Sequence, residues 1–196
     1  ELVFGARGPG DDRTTKEGVS LYGSAVTGDW VRGRSDVNTM LVVRGVTTGV
    51  LDALARCLPP WRRRGFALPL VVDADFLERA RDVFPMEIDD ARRSHRALAG
   101  RDVLATITVE RAALRRQCEH EARAKLLRLR ALYLDVAARP ADLERLLVGS
   151  LKTFLVILRH VLHLRGVDQP MAYPDVLAAG ERLLGPLPAF RRVLEH

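Results

Sequence analysis

From Val109 to Ala138 the chain carries neither glycine nor proline. Within that run Leu114, Cys118, Ala122, Leu126, Leu129, Tyr133 and Val136 recur at spacings of three and four. That period marks one apolar stripe on an α-helix, and no strand is so long. The run predicts a single amphipathic helix of about 45 Å at 1.5 Å per residue. Pro140 interrupts it, and a second helix is expected from about Ala141 to Leu164, ended by Gly166. Shorter helices are expected over Pro174–Leu184 and Leu187–Leu194, separated by Gly185-Pro186. Residues 108–196 therefore read as a helical bundle.

The first half alternates instead. Val19–Tyr22, Val37–Val43, Phe66–Val72 and Val83–Ile88 are short apolar runs with the composition of strands. Thr47/Thr48 offers a cap for a helix through about Leu58, which Pro59-Pro60 should stop, and Asp73 offers one for ADFLERARD. Asp89-Asp90 is expected to cap a further helix, ARRSHRALAG. Strands alternating with helices predict an α/β domain over 1–107 around one mostly buried sheet, followed by the bundle over 108–196. At 196 residues, 47% hydrophobic and 29% charged, the chain can bury its own core without staples.

Chemistry concentrates in LYGSAVTGDWVRGRSDVNTMLVV, residues 21–43. A strand runs into a Gly23-Ser24 turn, a polar spacer of residues 25–35 follows, and a second strand opens on Asp36-Val37-Asn38. Residues i and i+2 of a strand share a face, so Asp36 and Asn38 point the same way. This order resembles the signature of the DNA polymerase β-like nucleotidyltransferase superfamily: a hydrophobic residue, Gly-Ser, a spacer of this length, then Asp-hydrophobic-Asp or Glu. The small bacterial members, kanamycin nucleotidyltransferase-like and aminoglycoside adenylyltransferase-like, also follow an α/β domain with a mixed sheet by a helical bundle.

The resemblance implies transfer of a nucleoside monophosphate from an NTP, ATP among the candidates, to a hydroxyl of a small acceptor or a protein. In such chemistry paired Mg²⁺ ions, about 4 Å apart, stabilise the attacking and leaving oxygens. They take hard oxygen ligands. It implies Gly23, Ser24 and Asp36 at the nucleotide and Asp36, Asn38 and Glu87 at the metal, with Asp36 and Glu87 as the catalytic carboxylates. In the family the third carboxylate lies on a later strand, and the matching position here is Glu87 in VFPMEIDD. A base from the bundle would fall on Glu119 or Glu121. Asn38 is the departure from the pattern: an amide brings no charge and cannot act as a base. The alternative reading is a catalytically impaired nucleotidyltransferase-fold binding or interaction protein.

Other features point to ordinary structure. A net charge of +6 permits nucleic-acid binding, but only three of the 31 cationic residues are lysine. Aromatic content of 6% and the lack of aromatic-basic interleaving weigh against a nucleic-acid partner. Trp61-Arg62-Arg63-Arg64 fits a cationic helix C-terminus. Cys57 and Cys118 lack zinc-type spacing, and without a visible signal peptide a cytoplasmic location is expected. ELVFGARGPGDDRTTKEG reads as a flexible lead-in, and Gly5, Gly8 and Gly10 form no phosphate fingerprint. Asp73-Ala74-Asp75 is read as helix capping. His160 and His163, at i and i+3 without a carboxylate nearby in sequence, suit packing. LLVGSLKTFLVILRHVLHL, residues 146–164, carries Lys152 and Arg159 and is read as a buried bundle helix rather than a membrane span. Its apolar circumference predicts a homodimer through the bundle.

Overall fold

The computed structural model describes residues 16–27, 30, 36–167 and 172–195. Residues 1–15 and most of the spacer 25–35 lie outside them, so the expectations for the lead-in and for Gly5, Gly8 and Gly10 fall outside the described residues. The chain divides into two compact units. Of the described residues, one gathers those up to 26, with 30, 36–79 and 91–107; the other gathers 27, 80–90 and those from 108 to 195. Residues 80–90 thus group with the helices that begin after the change of composition at 108.

In the first unit, β1 (Lys16–Tyr22), β2 (Asn38–Val43), β3 (Leu70–Asp73) and β4 (His95–Gly100) form a four-stranded mixed sheet among the described residues, in the order β3-β2-β1-β4. β1 is antiparallel to both neighbours and β3 runs parallel to β2. The α/β character with a mixed sheet is as expected. Val19, Leu21, Met40, Leu41, Val42 and Val43 are all buried, so both faces of the central pair are covered. That is why these strands read as continuous apolar runs. Gly100 lets β4 close on β1: at φ +74° a β-carbon there would stand 2.2 Å from the Glu17 carbonyl oxygen.

Between Gly23 and β2 lies the one-turn helix α1 (Ser24–Thr27). Thr47 caps α2 (Thr48–Arg63) by accepting from the Val50 N–H at 3.3 Å. Asp73 caps α3 (Ala74–Ala80) by accepting from Phe76 N–H at 2.7 Å. Pro59-Pro60 does not stop α2, which continues to Arg63. The two prolines remove the N–H groups that would reach Ala55 and Arg56, both exposed, so water can take those carbonyls. Arg62 and Arg63 occupy the last turn, where cations suit the helix dipole.

Two expectations are overturned here. Val83–Ile88 is not a strand: Val83 and Phe84 close the turn after α3, and Pro85 opens α4 (Pro85–Arg93) at a first helical position, which proline favours. Nor is ARRSHRALAG a helix capped by Asp89-Asp90. Its His95–Gly100 half is β4, while Asp89 and Asp90 sit inside α4. Pairing with β1 outweighs the helical preference of its alanines and arginines. A single 3₁₀ turn follows at Leu104–Thr106.

The second unit is built on α5 (Arg111–Val136) and α6 (Pro140–Leu164), an antiparallel hairpin, with α7 (Tyr173–Leu184) and α8 (Pro188–Glu195). Leu151, Leu155, Leu158 and Leu162 pack on Val176, Leu177 and Ala179 of α7. Ile157, on another face of α6, joins Leu114 and Cys118 of α5 and Met86 of α4. By length and composition α6 is apolar enough to cross a membrane, with a mean hydropathy of 1.4 over its best window. In this chain its Arg159 and His160 are buried and paired with Asp90 and Asp89 of α4.

Candidate functional site

The two halves of the motif meet at the end of the β1–β2 pair. Tyr22, the last residue of β1, lies opposite Asn38 on one side and His95 on the other. Directly opposed residues of neighbouring strands share a face, so Asn38, Tyr22 and His95 form a row. Gly23 follows at φ +78°, a conformation that a residue with a side chain rarely takes. A β-carbon on Gly23 would lie 3.3 Å from Asn38 Nδ2, so the turn rests against the first residue of β2.

Gly23 serves this turn by its missing side chain and by its N–H alike. That N–H donates to the Ser94 carbonyl at 3.0 Å, with the Ser94 hydroxyl also 3.2 Å away. Ser94 is the residue that holds the turn. Its neighbour His95 was not singled out. His95 Nδ1 lies 2.6 Å from the Arg92 carbonyl oxygen, and Nε2 lies 2.9 Å from Asp102 Oδ1. Both ring nitrogens face acceptors, which fixes the ring. Asp102 Oδ1 also accepts the Ala105 N–H at 3.1 Å. Burial pushes the Tyr22 hydroxyl above its usual pKa. The Ser94-His95 pair could have been found from sequence only by recognising β4, because the strand places it beside Gly23.

Asp36 precedes β2 and is exposed, whereas Asn38 is half-buried. Between them Val37 is held in strand register: its N–H donates to the Gly65 carbonyl at 3.0 Å and its carbonyl accepts from Ala67 N–H at 3.1 Å. Asp36 and Asn38, flanking it, fall on the face opposite to Val37. A carboxylate and an amide therefore share one face, with the amide at the turn. Glu87 belongs to the other unit. It lies on α4 instead of a strand, exposed, and accepts from Gln117 Nε2 at 2.9 Å. Gln117 Oε1 takes the Met86 N–H at 2.8 Å, so this glutamine clamps the first turn of α4. Glu119 pairs with Arg115 and Glu121 with Lys125, ordinary neighbours on a helix surface.

No group of three or more His, Cys, Asp or Glu side chains among the described residues is placed to hold a metal ion. Two Mg²⁺ ions need several anionic oxygens at one point. One carboxylate with one neutral amide does not fit a two-metal centre.

The fold is thus a mixed-sheet α/β unit with a helical unit. No family model matches the chain, and no curated protein matches it. Among solved structures, the spectinomycin adenyltransferase AAD(9) from Enterococcus faecialis with ATP and spectinomycin is similar over 92% of this chain and 91% of that one. Identity is 12% and the TM-score 0.40.

Proposed function

We propose that this chain is a nucleotidyltransferase-like protein that binds a nucleoside triphosphate at the Gly23-Ser24 turn. The contact between Gly23 and Asn38 carries the reading, because it joins the turn and the Asp36 strand at one point. Gly23 gives a ligand close access to the backbone. Ser24 and the exposed Asp36 supply the hydroxyl and the charge beside it. Asp36 would hold an Mg²⁺ delivered with the nucleotide, whose own phosphates neutralise the ion. Asn38 supports the second reading, a binding protein that has lost turnover, since the amide leaves the set one charge short.

Isothermal titration of the whole chain with ATP and GTP, with and without Mg²⁺, tests the proposal. Saturable binding that strengthens with Mg²⁺ and is lost in Asp36→Asn is the expected result. Absence of binding by either nucleotide overturns it. Incorporation of labelled AMP or GMP into an acceptor would favour transferase over binder.

A further inference from the structure

A second site lies wholly within the helical unit. A cleft of about 520 Å³ opens between α5 and α6, a size that suits a small organic ligand. Its floor is apolar: Ala122, Ile157, Val161 and Leu164 line it beside the buried Cys118. The thiol adds no charge at neutral pH, because burial, with Asp89 and Asp90 nearby, pushes its pKa up to about 11.

One end of the cleft is cationic. Arg111 and Arg115 stand one turn apart at the start of α5, and Arg165 follows Leu164 at the end of α6. Arg111 donates to the Leu164 carbonyl, which brings these helix ends together. Among the described residues Glu119 is the single carboxylate on the rim, 3.0 Å from Arg115. Three guanidiniums therefore face one carboxylate. Capping α6 explains only part of that excess, since a helix C-terminus presents about half a negative charge. From the arginine end, Leu164, Val161 and Ile157 continue along α6 as an apolar track of about 10 Å at 1.5 Å per residue.

We infer that this cleft binds a small amphipathic oxyanion, its carboxylate or phosphate head on the arginines and its apolar chain along Leu164–Ile157. The guanidinium fork matches either head in two parallel hydrogen bonds. A polycation is excluded from this cleft by the same charge. The site involves neither Gly23 nor Asp36, so it stands or falls independently of nucleotide binding.

Calorimetric titration of the whole chain with octanoate, octanol and octyl phosphate tests the inference. Octanoate or octyl phosphate should bind saturably at one site, and which of them binds tighter identifies the head group. Octanol, lacking the charge, should bind at least about tenfold more weakly, the scale of one lost charge-assisted hydrogen bond. Arg165→Gln, at an exposed position, should weaken the anions by a similar factor without changing octanol. Ala122→Phe should block all three by filling the floor, with circular dichroism confirming the helices. Octanol equal to the anions, anion affinity unchanged in Arg165→Gln, or absence of saturable binding would each overturn the site.

Discussion

Gly23 and Asn38 sit so close that a single added carbon on residue 23 would come within 3.3 Å of the Asn38 side-chain nitrogen. The contact makes Gly23→Ala a test of the turn. The substitution meets a crowded neighbour and a left-handed backbone together. We expect a loss of about 1–2 kcal/mol in unfolding free energy from the backbone alone. Urea titration followed by circular dichroism measures it. A fully stable variant would mean that the turn relaxes without cost.

Asn38→Asp restores the charge missing beside Asp36 and hardly alters side-chain volume. If ligand charge limits the site, Mg²⁺-dependent ATP affinity should rise at least about tenfold, since even weaker changes around metal ligands shift affinity by 10–100-fold. ATP affinity without Mg²⁺ should fall or stay level, because the new carboxylate repels phosphate. A rise in both conditions would contradict the metal-ligand role. Titration of both proteins in parallel reads the difference.

How much of this was visible in the sequence depended on period. α5 and α6 were legible from their three-four spacing, and α2 and α3 from Thr47 and Asp73. The Gly23 and Asp36 stretches were legible as the two arms of a motif. What failed was the segment from Val83 to Gly100. VFPMEI is a short apolar run, and such runs suit a buried strand or a helix turn equally. Pro85 marked a helix start there rather than an irregular strand. HRALAG has the composition of a helix, and only its pairing with Tyr22, Leu21 and Ser20 makes it a strand. With β4 unseen, Ser94 and His95 stayed out of the candidate site and Glu87 was drawn into it.

The pairing of His160 with carboxylates was equally out of reach, since Asp89 and Asp90 lie far away in sequence. His160 is fully buried, with Nε2 3.1 Å from Asp90 Oδ1 and Nδ1 3.6 Å from Asp89 Oδ2. Burial lowers its pKa, but hydrogen bonding and attraction to Asp89 and Asp90 outweigh that, so the net shift is upward from 6.5. A raised folded-state pKa contributes stability that is full below the unfolded value and lost as pH rises through the folded one. The urea midpoint should therefore fall as pH climbs above 6.5, and His160→Gln should flatten that decline. An equally steep decline in the variant would assign the dependence to another group.

Arg159 and Asp90 form a 2.5 Å ion pair with only 9% and 26% of their side chains exposed. Arg159→Met leaves Asp90 with His160 as its remaining partner and should cost up to about 3 kcal/mol, the scale of a broken buried pair. Replacing both partners, Arg159→Met with Asp90→Leu, should recover only part of the loss, because the buried His160 Nε2 then loses its acceptor at 3.1 Å. Denaturation of the single and double variants distinguishes pairing from simple packing.

The two thiols should separate cleanly by reactivity. Cys57 is exposed, whereas Cys118 is buried and its pKa is pushed up to about 11. The thiolate is the reactive form, so at pH 8 iodoacetamide should modify Cys57 and leave Cys118 intact until the protein unfolds. Intact-mass spectrometry with peptide mapping gives the order. Equal labelling would show that the helical unit opens on the timescale of alkylation.

The crossing of the chain between its units at residues 80–90 has a consequence for modularity. The chain leaves the sheet unit after Arg79, lends the first six residues of α4 (Pro85–Asp90) to the helices, and returns at Ala91 to lay down β4 before leaving again after Ile107. A fragment beginning at residue 108 would keep four long helices yet lack Met86, Asp89 and Asp90. Leu114, Cys118 and Ile157 would lose a packing partner, and Arg159 and His160 their carboxylates. A fragment ending at residue 79 would keep three strands and leave β1 with an unpaired edge. Neither half can be excised, swapped or inherited alone by a single break in the gene. The pair is interlaced, and it has to be transferred, split or fused as one piece.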